Sequence, residues 1–260
     1  MTTVTNKYDS FGLHDQIAIV TGASQGIGQV LAVALAEAGA HVTLVSRSPA
    51  RLTEVAKVVE ALGRTALVVP TDLRKIAQIQ AMVRQVHERF GQINILINNA
   101  AWTNTIPALE VTEEEWDQTV DTSLKGAFFT AQAVAAIMIE QGKGKIVNIG
   151  STLGVVAFAG RPVYAAAKAG LHQLTRALAY EWAAQGISVN AVAPCITETP
   201  TRRNLFERPG YKEWATGQML PIGRWAQPED LIGATLFLCS SLSDMVVGHV
   251  IMVDGGWTIH

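Results

Sequence analysis

Along this chain, runs of consecutive apolar, β-rich residues alternate with stretches whose apolar positions recur every three or four residues. The runs read as strands buried on both faces, the periodic stretches as amphipathic helices. Strands are predicted at 17–20, 42–45, 66–69, 93–97, 145–149, 188–192 and 249–253, and helices at 26–38, 49–62, 74–90, 112–141, 163–184 and 228–240. Thr112 and Glu115 have capping-box spacing. Gly39, Gly63, Gly91, Gly142 and Gly186 stand where helices should end. Such alternation predicts an α/β fold, a doubly wound parallel sheet covered by helices on both faces. The segment 197–227, rich in Pro, Arg and Gly, breaks the rhythm. Loops of that length in a compact domain are lids or disordered segments.

Composition narrows the class. At 260 residues the chain fits one large α/β domain or two small ones. The most apolar stretch, around 126–139, reads as too short and too rich in alanine to span a bilayer. The opening "MTTVTNKYDS" lacks the pattern of a signal peptide. A net charge of −2 favours neither nucleic acid nor an anionic membrane as partner. Two cysteines, Cys195 and Cys239, make no disulfide framework and suit a reducing cytoplasm. No metal site is expected.

The stretch "IAIVTGASQGIGQVLAVALAEAG" places Gly22, Gly26 and Gly28 between the first strand and the first helix. Glycines there permit a tight turn and close backbone approach, and the helix start offers free N–H groups to a pyrophosphate. The spacing is G-x-x-x-G-x-G, so a dinucleotide turn is favoured over a purely structural one mainly by its position. At the end of the second strand, "TLVSRSP" carries Ser46 and Arg47 where an acidic side chain would hold a free ribose 2′-hydroxyl. Arginine suits a 2′-phosphate. NADP(H) is therefore expected before NAD(H), the plain alternative being a solvated arginine.

Taken in order, "TGASQGIG", the "NNA" at 98–100, Ser151 thirteen residues before "YAAAK", and "VDGG" at 253–256 resemble the short-chain dehydrogenase/reductases. The resemblance runs from about residue 14 to the end. It implies a single Rossmann-type domain over 1–260 with a seven-stranded parallel sheet, within which 197–227 covers the substrate, and a homotetramer. It further implies that Gly22, Ser24, Gln25, Gly26, Ile27 and Gly28 form the pyrophosphate turn and that Asp72 and Leu73 of "PTDL" meet the adenine. Asn99 and Ala100 would lie beside the cofactor, and Ile196 and Thr199 of "APCITET" would hold the nicotinamide amide. Asp72 also fits a helix N-cap and Thr199 a plain turn.

Tyr164 and Lys168, four residues apart, share a helix face. A free tyrosine has a pKa of ~10, too high for a base near neutrality, and a neighbouring ammonium favours phenolate. Tyr164 is thus expected as the acid/base, with Lys168 tuning it and holding the nicotinamide ribose, and Ser151 as donor to the reacting oxygen. Three departures from the family pattern stand out. In "DTSLKG", Ser123 occupies the place of an asparagine thought to hold a relay water, and is carried as a catalytic candidate. Ala101 replaces a glycine, a strain if that position needs positive φ. Cys195 replaces a glycine after Pro194 and reads as inert rather than reactive.

Residues 200–225 hold Arg202, Arg203, Arg208, Lys212 and Arg224 against Glu207 and Glu213, and Arg161 lies one turn before Tyr164. That charge suits an anionic substrate, although lid arginines often only face water. Trp102 and Trp214 could wall the pocket. Leu171, Leu174, Leu178 and Trp182 should bury one helix against the sheet, and the resemblance also places part of that helix in a subunit contact. The tail resembles members that act on sugar acids, gluconate 5-dehydrogenases among them. The expected activity is hydride transfer between NADP(H) and a secondary alcohol or ketone. The alternatives are a 3-oxoacyl thioester or general ketone reductase and, in another class, a cofactor-binding sensor or scaffold with little catalysis.

Overall fold

A computed structural model describes residues 8–202 and 206–259. Seven strands are seen: β1 (Ile17–Thr21), β2 (His41–Ser46), β3 (Ala66–Pro70), β4 (Ile95–Asn98), β5 (Gly144–Ile149), β6 (Ile187–Pro194) and β7 (Val250–Val253). They form one sheet in the order β3-β2-β1-β4-β5-β6-β7, and every pairing is parallel. The chain runs outward from β1 to β3, then crosses back to β4 on the other side of β1. That reversal opens a crevice beyond the carboxyl ends of β1 and β4.

The main helices are α1 (Gly26–Glu37), α2 (Pro49–Ala61), α3 (Ile76–Phe90), α4 (Glu113–Gln141), α5 (Pro162–Trp182), α6 (Tyr211–Trp214) and α7 (Ile232–Cys239). Strand alternation divides the core into two layers. Ala18 and Val20 of β1 and Ile95 and Ile97 of β4 face a cluster with Leu31, Leu35 and Leu236. Ile17, Ile19 and Leu96 face a second cluster with Ile79, Val134, Met138 and Leu178. Both faces of each inner strand are therefore apolar, which is why the strands read as unbroken hydrophobic runs. Leu171, Leu178 and Trp182 are buried as expected, with Leu174 packed beside them.

Several local details depart from expectation. The spacing predicts helix from residue 74, but α3 starts at Ile76 because Arg74 is taken up in a turn with Asp72: its backbone N–H and guanidinium both donate to the carboxylate. Thr112 does cap α4, accepting from the Glu115 N–H at 3.3 Å. The reciprocal half of the box is replaced by bonds from the Trp102 indole and the Asn104 amide to the Glu115 carboxylate. α4 runs 29 residues and holds an 18-residue window with a mean hydropathy of 1.3, so by length and composition it could cross a membrane, unlike the shorter stretch considered from sequence. In this fold Ala131, Val134, Ala135 and Met138 of that helix are packed in the core. A π-helical turn, Asp121–Lys125, interrupts it. The helix predicted at 228–240 begins as a 3-10 turn (Pro228–Leu231).

Candidate active site

The crevice at the β1–β4 reversal is a cleft of about 730 Å³, within the usual range for a small-molecule site. Its floor is the glycine turn. Gly22 has φ +67°, and a Cβ there would lie 2.7 Å from the Asn99 amide and 3.0 Å from the Ala100 backbone, so only glycine fits. At Gly28 a Cβ would run into the Gly22 carbonyl, which is how α1 comes so close to the turn. Gln25, the N-cap of α1, makes no side-chain capping bond, and the first turn holds no acidic residue. The positive end of α1 is left open toward the cleft, as an anion site needs.

Most residues expected around a dinucleotide meet here: Gly22, Ser24, Gln25, Gly26 and Ile27 of the turn, Ser46 and Arg47 after β2, Asp72 and Leu73 after β3, Asn99 and Ala100 after β4, and Thr199. Arg47 is exposed at the rim. Sequence reading missed Arg51, in the first turn of α2, which also lines the cleft and donates to Gln25 Oε1 at 2.7 Å. Its position within the helix after "SRSP" was the available signal. The Asp72 carboxyl is held below the usual range, chiefly by its hydrogen bond from Arg74. Asn99 braces the turn, donating to the Thr21 and Gly22 carbonyls, while Thr21 Oγ1 accepts from the N–H groups of Asn99 and Ala100. Two expected residues do not line the cleft. Gly28 serves packing, and Ile196 is buried, its carbonyl accepting from Ala226 N–H at 2.9 Å. Size, open helix end and arginines together fit a phosphorylated dinucleotide.

Ser151, Tyr164 and Lys168 line the same cleft, at the end of β5 and along α5. Ser151 Oγ accepts from Leu153 N–H at 3.1 Å, which leaves the hydroxyl proton free to donate. Lys168 is buried, and one of its three donors goes to the Ile149 carbonyl. Its nitrogen lies 5.6 Å from the centre of the Tyr164 ring. Burial pushes the Lys168 ammonium below the usual lysine range; the Tyr164 charge opposes this and that of Arg202 adds to it. Beneath them, Asn98 donates to Asn148 Oδ1, and Asn148 donates to Thr175 Oγ1, which locks β4, β5 and α5 together. Only Asn98 of these falls in a motif, the "NNA" at 98–100, and nothing in the sequence announces its partners.

Ser123 makes no hydrogen bond to the lysine. It lies buried in the π-helical turn, its Oγ accepting from Trp102 N–H at 3.0 Å and donating to the Trp102 carbonyl at 3.3 Å. It holds the 101–103 loop over the cleft rather than lining it. Ala101 is not strained, since Asp15 alone among the described non-glycine residues has positive φ. Cys195 is buried and burial pushes its thiol up to about 11, in keeping with an inert residue. Of the lid charges, Arg203 lies outside the described residues. Arg224 is committed to Asp230 by two bonds of 2.6 and 2.8 Å, and Arg208 and Lys212 point to solvent. Arg202 lines the cleft. Trp102 lines it too, while Trp214 packs on Phe158 and Tyr211.

A glycine turn at the sheet reversal and a Ser–Tyr–Lys set sharing its cleft define a nucleotide-dependent oxidoreductase of the Rossmann type. Residues 22–258 match the adh_short_C2 family model, described as enoyl-(acyl carrier protein) reductase. The chain belongs to the short-chain dehydrogenase/reductase family. It is 41% identical over 252 residues to the 2-dehydro-3-deoxy-D-gluconate 5-dehydrogenase of Escherichia coli K12, covering 95% of this chain and 97% of that protein. It is 36% identical over 247 residues to the 3-oxoacyl-(acyl-carrier-protein) reductase of Thermotoga maritima, covering 95% and 99%. The solved gluconate 5-dehydrogenase of Burkholderia cenocepacia J2315, in complex with NADP and tartrate, superposes with a TM-score of 0.93 at 36% identity, covering 97% of this chain and 99% of that one.

Proposed function

We infer that this chain exchanges hydride between NADP(H), in preference to NAD(H), and a secondary alcohol or ketone of a sugar acid. The observation that carries the reading is the meeting of Tyr164, Lys168 and Ser151 with the glycine turn in one cleft. The dinucleotide, when bound, supplies or accepts the hydride. Gly22, Ser24 and the open end of α1 hold its pyrophosphate, and Arg47 and Arg51 hold the 2′-phosphate. Tyr164 donates its hydroxyl proton to the carbonyl oxygen in reduction and takes it back in oxidation. Lys168 stabilises the negative charge that develops on the phenolic oxygen, and its remaining donors hold the nicotinamide ribose. Ser151 donates to the reacting oxygen and is fixed in advance by its bond from Leu153 N–H. The segment 197–227 covers the substrate.

The sugar-acid class is supported by the names of the Escherichia coli and Burkholderia cenocepacia relatives. The comparable identity to a 3-oxoacyl reductase keeps thioester ketones as the second reading. The test is a coupled screen of sugar acids, their keto forms and 3-oxoacyl thioesters with both cofactors. Turnover of sugar acids with NADP(H) is expected; turnover confined to thioesters overturns the substrate. A homotetramer and a cytoplasmic location complete the reading. Leu109, Tyr180 and Met245 are large apolar side chains left almost fully exposed, as a subunit contact requires. Light scattering that reports a monomer refutes the assembly.

A further inference from the structure

Arg161 is half-buried beside Tyr164, and its guanidinium is held in place: Nη1 donates to Thr103 Oγ1 at 2.6 Å and to the Asn104 carbonyl at 3.0 Å. Nε and Nη2 have no hydrogen-bond partner among the described residues. Tyr164 lines both the main cleft and a recess of about 20 Å³ that it shares with Arg161 and Asn104. Arg202 approaches from the lid side, lines the cleft, and lies close enough for its charge to act on Arg161, Lys168 and Tyr211. Among the described residues neither arginine has a carboxylate within ion-pairing distance, whereas Arg64, Arg74 and Arg224 each have one. Unpaired arginines on an open surface are ordinary. Two half-buried ones whose charges act on one another, Arg161 beside Tyr164 and Arg202 in the cleft that Tyr164 also lines, repel unless an anion lies between them.

We propose that Arg161 and Arg202 form a carboxylate clamp that seats the acid end of the substrate and so sets which carbon faces Tyr164. The proposal rests on the dehydrogenase reading of the cleft and adds its charge selectivity. A guanidinium edge matches a carboxylate in shape and in paired hydrogen bonds. Arg161 is preset by Thr103 and Asn104, while Arg202 belongs to the segment proposed to cover the substrate. Arg161 and Arg202 are specificity-determining residues here, not proton carriers.

The test compares gluconate with D-glucitol, which has the same carbon chain without the carboxylate. Binding is measured by calorimetry to the NADPH-loaded enzyme, where both partners are reduced and no turnover intervenes. The wild type should bind gluconate at least tenfold more tightly than glucitol. Arg161→Gln and Arg202→Gln should each erase most of that preference by weakening gluconate and leaving glucitol unchanged. Because Arg161 also pins the 103–104 loop, Arg202→Gln provides the independent arm, and melting curves report folding. Equal affinity of the wild type for the two ligands, or a preference that survives both substitutions, overturns the clamp. Loss of hydride transfer to every substrate while the gluconate preference persists would instead sink the dehydrogenase reading and leave the clamp standing.

Discussion

His172 lies one helical turn beyond Lys168 and directly beneath the active site. It is 2% exposed, it accepts the Ser151 N–H at Nε2 over 3.4 Å, and its ring fills the space against Gly150 and Gly154. Burial, then the charges of Lys168 and Arg176, lower its pKa from 6.5 to about 4. The unfolded chain therefore takes up a proton near pH 6.5, and the folded protein does so only near 4. Between those values the unfolded state binds more protons, so stability falls as pH is lowered and is flat on either side. At about 1.4 kcal/mol per pH unit, the drop from 6.5 to about 4 amounts to roughly 3 kcal/mol. Urea denaturation of the wild type and of His172→Gln, at a series of pH values from 7.5 down to about 4, reads this directly. Carboxylates that titrate in the same range contribute equally to both proteins, so the difference between the two curves isolates the histidine. Parallel curves would refute the reasoning, because they would mean that the imidazole charges in place without penalty.

Other consequences are open to single measurements. Arg47→Ala, and separately Arg51→Ala, should lower the ratio of NADP to NAD affinity by about tenfold or more, the worth of a charge-assisted bond of ~1.5–3 kcal/mol; an unchanged ratio in both variants contradicts their placement. Asn148→Ala takes one buried partner each from Asn98 and Thr175, which keep their bonds to the Ala127 and Leu171 carbonyls, and should cost about 2–3 kcal/mol in urea denaturation; a loss below ~0.5 kcal/mol would show the chain of amides to be dispensable. Cys195 and Cys239, pushed up to about 11 and about 12, should resist iodoacetamide at pH 8 in the folded protein and react after unfolding; rapid native labelling goes against their burial.

The parallel sheet and the glycine-turn cleft follow from features visible along the chain. Unbroken apolar runs such as Ile17–Val20 become strands because helices cover both faces, and the glycines of the first turn announce its close contacts. Tyr164 and Lys168 meet because helical geometry requires it. What sequence reading missed depends on which partner the fold gives each side chain. Ser123 looked like a stand-in for a relay residue, yet the π-helical turn aims its hydroxyl at Trp102. Glu115 looked like half of a capping box, yet its carboxylate is taken by Trp102 and Asn104. Arg224 looked like one of five free lid cations, yet Asp230 neutralises it. Trp102 reaches Ser123 and Glu115 from 21 and 13 residues away, whereas Asp230 is only six residues from Arg224, so distance along the chain hid the first two and an overlooked neighbour the third. Asn98 stands in the "NNA" motif, yet nothing in the sequence shows that it pairs with Asn148 and Thr175, which occupy strand and helix positions that otherwise read as apolar core.

The most direct test of the account is the single-turnover rate of NADPH oxidation by Tyr164→Phe with a keto sugar acid that the wild type reduces. Loss of a positioned proton donor should slow the step by ~10²–10⁴-fold while NADPH still binds. A rate within a few fold of the wild type would contradict the assignment of the proton to Tyr164.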